Sequence, residues 1–153
     1  MENQERVFFV QKNKKGEFET ESIWCSIIGE NQFKIDNIPF IANRIALDDI
    51  ILAEFDENEN AYYFDDFVSI SGNTTIRLFF YETNYIEDTR RILSKYGCET
   101  EVLLQKKIVA VNVPKQVDYS VIKHYLDNGE FKNKWIYEES CLAHNIDTAI
   151  DFG

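Results

Sequence analysis

The sequence predicts an α+β protein in two packed halves. A small β-barrel-like sheet over residues 1–73 is followed by a ferredoxin-like βαββαβ sandwich over 74–142 and a tail at 143–153. Three observations predict this. Short runs of alternating apolar residues recur between polar turns throughout the first half, the pattern of a small curled sheet. The second half runs strand, helix, strand, strand, helix, strand, the split βαβ order that puts both helices on one face. Only six Gly and two Pro occur in 153 residues, which leaves no flexible linker and predicts rigid packing of the halves near Ser71-Gly72-Asn73.

In the first half, Arg6 to Gln11 reads as a strand and Asn13-Lys14-Lys15-Gly16 as a turn. Glu21 to Ile28 is a second strand. Gly29-Glu30-Asn31-Gln32 then turns the chain into Phe33-Lys34-Ile35. Pro39 cannot donate to a ladder, so Asn37-Ile38-Pro39-Phe40 marks a strand end, edge or bulge. Ile41 to Leu47 reads as irregular chain or a short helical turn. Ile50 to Phe55 and Tyr62 to Ile70 are strands around the polar turn 56–60.

In the second half, Thr75 to Tyr81 alternates, with Ile76, Leu78 and Phe80 on one face and Arg77, Phe79 and Tyr81 on the other. Asn84 with Glu87 has the form of a capping box for a helix carrying Ile86, Thr89, Ile92, Leu93 and Tyr96, stopped by Gly97. Strands follow at 99–105 and 107–113, ended by Pro114. Asp118 caps a second helix with Val121, Ile122, Tyr125 and Leu126, closed by Asn128-Gly129. Trp135 to Leu142 is the last strand, whose Trp135 and Tyr137 are expected to join Phe79 and Tyr81 on the open sheet face. Aromatics on such a face stack bases in RNA-recognition domains. Here no RNP-type motif occurs, and the face is expected to bury against the first half instead.

The net charge is −11, and it is concentrated. Twelve acids and only Arg44 and Arg77 lie between Asp36 and Asp88, which accounts for ten of the eleven excess negative charges. Nucleic acid and anionic membrane surfaces are repelled by such a region, and a basic protein is attracted. Acidic loops also serve solubility alone. No apolar run approaches the ~20 residues of a membrane span. The start, Met1-Glu2-Asn3-Gln4-Glu5, lacks the basic and apolar regions of a signal peptide. Three Cys without a CxxC pair argue against a disulfide framework, and the chain reads as soluble, reduced and cytoplasmic.

The residues offer little chemistry. Cys25, Cys98 and Cys141 read as small buried hydrophobes, and His124 and His144 as solvated imidazoles rather than a Cys-His catalytic pair. These five scattered groups have no zinc spacing. Ser71-Gly72-Asn73-Thr74-Thr75 precedes a strand, so it lacks the helix dipole of a phosphate cradle. The acidic stretches match no EF-hand loop. No metal, no cofactor and no enzymatic activity are expected.

Several segments carry a resemblance. Ser22-Ile23-Trp24-Cys25, Phe33 to Phe40, Asp49-Ile50-Ile51 and Ser71 to Arg77 are similar to segments of the bacterial family known as domain of unknown function 4265. Tyr96-Gly97-Cys98, Val109 to Pro114 and Trp135 to Glu139 continue it, over about residues 21–142. The resemblance implies no activity or catalytic residues. Within it, Arg77, nearly alone among acids, has the setting of a structural ion-pair partner.

Function is therefore expected to be protein binding. The leading expectation is an acidic, non-enzymatic module, in its sharper form an immunity or antitoxin-type inhibitor of a basic bacterial toxin. Its contacts would be Asp48, Asp49, Asp56, Glu57, Glu59, Asp65 and Asp66, with Tyr62 and Tyr63 as anchors. One alternative is a small-molecule-binding protein or small enzyme with a pocket between the halves, near Asn37 and Arg77. Another is an accessory domain that binds a cellular complex through its aromatic sheet.

Overall fold

The computed structural model describes residues 3–144, so nearly all of the tail expected at 143–153 lies outside the described residues. Strands β1 (Gln4–Lys12), β2 (Phe18–Gly29), β3 (Gln32–Ile35), β4 (Ile50–Asp56) and β5 (Ala61–Ser69) come first. Each pairs antiparallel with the next, and β1 returns to pair with β5 in parallel, so the sheet closes on itself. Alternation decides what faces inward. Val7, Phe9, Ile23, Cys25, Phe33, Ile35, Ile51 and Ala53 fill the interior, while Arg6 and Trp24, partners in register, face out with the guanidinium 5.0 Å from the indole.

The second sheet contains β6 (Thr74–Phe80), β7 (Glu99–Leu103), β8 (Ile108–Val113) and β9 (Trp135–Cys141), with α1 (Ile86–Lys95) after β6 and α2 (Tyr119–Phe131) after β8. The order across it is β7-β8-β6-β9, antiparallel throughout. Ile76, Leu78 and Phe80 share one core with Val109, Val111 and Val113, with Leu93 of α1 and with Ile122 and Leu126 of α2. Both helices therefore cover the same face. The molecule is a mixed α+β protein, mostly sheet, with two helices among the described residues.

Three local expectations are corrected. The capping box at Asn84 and Glu87 does not form: Thr83–Tyr85 make a single 3-10 turn, α1 begins at Ile86, and Glu87 turns to Arg90 at 3.2 Å instead. The second helix is not closed at Asn128-Gly129 but runs on to Phe131. Gly129 is there for proximity, since a Cβ on it would lie 1.9 Å from Cζ2 of Trp135. Finally, Trp135 and Tyr137 do not join Phe79. Register sets Trp135 opposite Phe80 and Tyr137 opposite Leu78, on the helix-covered face. Trp135 is buried there and donates its indole N–H to the Leu126 carbonyl at 3.0 Å. A strand read one residue out of step shows its wrong face.

Other signals act as read. Gly97, at φ +96°, stops α1 in a left-handed turn, and the Cys98 N–H reaches back to the Leu93 carbonyl at 3.0 Å. Asp118 caps α2 by accepting from the Ser120 N–H at 3.0 Å. Among the described residues, no helix is long and apolar enough to cross a membrane.

Candidate functional site

The loop 36–49, between β3 and β4, lies in the seam and binds both sheets. From the first sheet, the Glu21 carboxylate accepts three consecutive backbone N–H groups, of Phe40 and Ile41 at 2.8 Å and Ala42 at 2.7 Å. Such a run of N–H groups is a nest for an anion. From the second sheet, Arg77 donates to the Pro39 and Ala42 carbonyls at 3.4 and 3.2 Å and to Asn43 Oδ1 at 2.5 Å. Its Nε pairs with Glu138 at 2.8 Å. Arg77 is only 1% exposed, and a charge so buried is tolerated because every side of it is matched. Thr75 adds a bond to the Ile45 carbonyl, Asn73 one to Leu47, and the Arg44 N–H one to Ser140. A loop of the first half thus covers the open face of the second sheet at Thr75 and Arg77, while Tyr81 and Ile136 stay exposed.

Asn37 and Arg77, expected to line one pocket, serve separate ends of this seam. Asn37 Oδ1 accepts from the Trp24 N–H at 2.9 Å and its amide donates to the Asp36 carbonyl. Arg77 is held by the loop and Glu138, though it borders a groove of about 350 Å³ between the β1–β2 hairpin and the second sheet. Glu101, on β7, accepts weakly from the Ile38 N–H at 3.4 Å. Burial raises its pKa above the usual carboxylate range, and the charges of Glu21, Asp36 and Glu99 add to the rise.

The acidic candidates divide. Asp65, Asp66, Glu57 and Glu59 are exposed on the β4–β5 ribbon or its turn, and Asp56 organises that turn by accepting from the Asn58 and Glu59 N–H groups. Asp48 is exposed beyond the start of the ribbon, in a left-handed conformation at φ +70°. Asp49 is not a surface group. It is 1% exposed, and its two oxygens accept from the Ala46 N–H at 3.0 Å and the Ser71 N–H at 2.8 Å. It ties the end of the seam loop to the connection between the sheets, and burial raises its pKa.

Tyr62 is half-buried at the margin of the first core, packed edge-on against Phe33 and Phe55 at 5.0 and 5.1 Å. Tyr63 rests on Phe8 at 5.5 Å. Sequence reasoning passed over three exposed apolar groups on or beside the ribbon, Phe55, Val68 and Ile70. Counting acids hid them, although Phe55 lies between Glu54 and Asp56. The ribbon also has a bare edge. β1 pairs with β5 only at Val7–Tyr62 and Phe8–Tyr63, so among the described residues Phe64, Asp66, Phe67 and Ser69 pair with β4 alone, and Asp65 and Val68 sit at its register shifts.

Burial pushes the Cys25 and Cys98 thiols up to about 12 and the Cys141 thiol up to about 11, far from the thiolate a nucleophile needs. His144 is bound to Thr74 Oγ1 at 2.6 Å and to the Pro114 carbonyl at 3.0 Å rather than to Cys141. The bond to a carbonyl requires the proton on Nε2, so Nδ1 accepts from the threonine hydroxyl. Among the described residues no three His, Cys, Asp or Glu side chains gather as a metal site.

Two sheets bound through one shared loop, with an acidic ribbon on the first, define the class: a mixed α+β protein, mostly sheet, with two helices among the described residues. The chain belongs to the family described as Domain of unknown function (DUF4265), which it matches over residues 21–137. No curated protein matches it. It is similar to a solved structure titled "Novel crystal structure of a hypothetical protein from Neisseria gonorrhoeae", with a TM-score of 0.81 and 24% identity over 95% of this chain and 98% of that one. At that identity the likeness shows the fold.

Proposed function

We propose that the protein is a non-enzymatic binding module whose acidic β4–β5 ribbon docks on a basic protein partner. In its sharper form it is an immunity or antitoxin-type inhibitor that covers the cation-rich active site of a bacterial toxin. The observation that carries the reading is the ribbon's composition and exposure. No Lys or Arg occurs from Ile45 to Ile76, while Glu54, Glu57, Glu59, Asp65 and Asp66 stand exposed beside Phe55 and Val68. Complementary charge speeds encounter, and apolar groups desolvated at the centre hold the complex. The bare edge of β5 offers backbone groups for a partner strand as well.

We further infer that the two halves are a small barrel and a ferredoxin-like sandwich, a reading that the closed first sheet and the order β7-β8-β6-β9 support. A reducing cytoplasmic setting fits three unpaired thiols. The test is affinity capture from host lysate at low and high salt, with Glu57→Gln, Glu59→Gln, Asp65→Asn and Asp66→Asn combined as the comparison. The proposal expects one basic protein, captured in stoichiometric amount at low salt and lost with the variant. Capture indifferent to the variant, or none at all, counts against it.

A further inference from the structure

We propose that the groove between the halves binds a small organic anion with a flat apolar body. The seam loop covers the open face of the second sheet only as far as Arg77. Beyond it Leu103, Ile108 and Phe79, neighbours in register across β7, β8 and β6, form an apolar floor. Phe40 and Ile41 of the loop make one wall, and the β1–β2 hairpin from Gln11 to Lys14 makes the other. The groove is open to solvent on one side, and its volume, about 350 Å³, is at the small end of ligand sites.

Charge selects the occupant. Lys12, Lys14 and Lys106 stand on this one groove, in a chain with 27 acids and 16 Lys and Arg. Among the described residues none of the three has a carboxylate at ion-pair distance, since the four ion pairs there belong to Arg77, Arg90, Arg91 and Lys123. Of the groove's own carboxylates, Glu138 pairs with Arg77 and Glu19 accepts only a weak bond from the neutral Gln11 amide at 3.4 Å. Four cations thus face two acids on the lining, and the groove stays net positive. Three lysines without a carboxylate partner among the described residues stand beside an apolar floor, Lys12 with its ammonium 5.3 Å from the exposed Phe18 ring. They fit a ring-bearing carboxylate, sulfonate or phosphate, whose charge meets the lysines while its body covers Phe79. A polyanion such as nucleic acid would meet the repulsion of the whole molecule's −11 charge.

The site shares no residue with the acidic ribbon, so its test is independent of the proposed partner. Amide resonances are followed by NMR while naphthoate or naphthyl phosphate is titrated in, with neutral naphthamide and inorganic phosphate as comparisons. Saturable shifts at Gln11 to Lys14, Phe79 and Leu103 are expected with both aromatic anions. Affinity should fall about tenfold or more for naphthamide, for inorganic phosphate and for the triple variant Lys12→Gln, Lys14→Gln, Lys106→Gln. All three substitutions are on exposed residues, and the variant's unperturbed spectrum serves as the folding control. Shifts elsewhere, no saturation, or equal binding by naphthamide or by the triple variant would overturn the proposal.

Discussion

At Gly129, helix α2 comes closer to the sheet than any side chain would permit. A methyl group there meets the Trp135 ring at 1.9 Å, and Trp135 is itself 1% exposed between Phe80 and Tyr125. Gly129→Ala should destabilise the protein by about 1–3 kcal/mol, seen as a lower urea midpoint at unchanged slope. Glu101 makes the opposite case. Its pKa is raised in the folded state by burial and by neighbouring acids, so the native form holds its proton to higher pH than the unfolded chain. Stability from this group therefore falls as pH rises from the usual carboxylate range through the raised value. Glu101→Gln should gain stability near neutral pH, and the gain should fade on acidification as wild-type Glu101 takes up its proton. Paired denaturation curves across pH check this. Arg77 was legible as a structural ion-pair partner because it stands almost alone among acids. Gly129 was not, because Asn-Gly at the end of an apolar stripe has the form of a helix stop and only the tertiary contact with Trp135 shows otherwise.

At the scale of elements, the seam loop carries the argument. The Glu21 carboxylate holds three of its N–H groups and Arg77 two of its carbonyls. Glu21→Gln keeps the shape but lets the amide accept at one oxygen only and removes the charge, which should cost about 1.5–3 kcal/mol. Hydrogen exchange at Phe40, Ile41 and Ala42 should rise more than in the helices. Pro39 showed in the sequence that this stretch leaves the sheet. Its role as the seam was hidden, because the groups that hold it are backbone atoms whose partners lie 19 and 35 or more residues away. Strand existence was legible from period-two alternation. The facing of Trp135 and Tyr137 was not, since alternation gives two faces and only pairing with β6 says which is which.

For the whole molecule, the charge pattern is the property that sequence alone displays and that folding sharpens. Six of the twelve acids between Asp36 and Asp88 lie on the ribbon and its turn, and Asp49 is withdrawn to bind the Ala46 and Ser71 N–H groups. Neutralising the exposed ribbon acids should leave stability within about 0.5 kcal/mol, as surface changes do. Asp49→Asn should lose about 1–3 kcal/mol, because an amide nitrogen would face a backbone N–H. Thermal unfolding of the two variants side by side separates docking residues from structural ones.

The most direct measurement is photo-crosslinking in the native host from single positions of the intact chain. One probe is placed at Val68 on the ribbon and one at Val121 on the exposed side of α2. The account predicts a crosslink to one basic protein from Val68, weakened by salt, and none to that protein from Val121. A specific crosslink from Val121 alone, or no adduct from Val68 in cells where the Val121 probe is equally expressed, would contradict it.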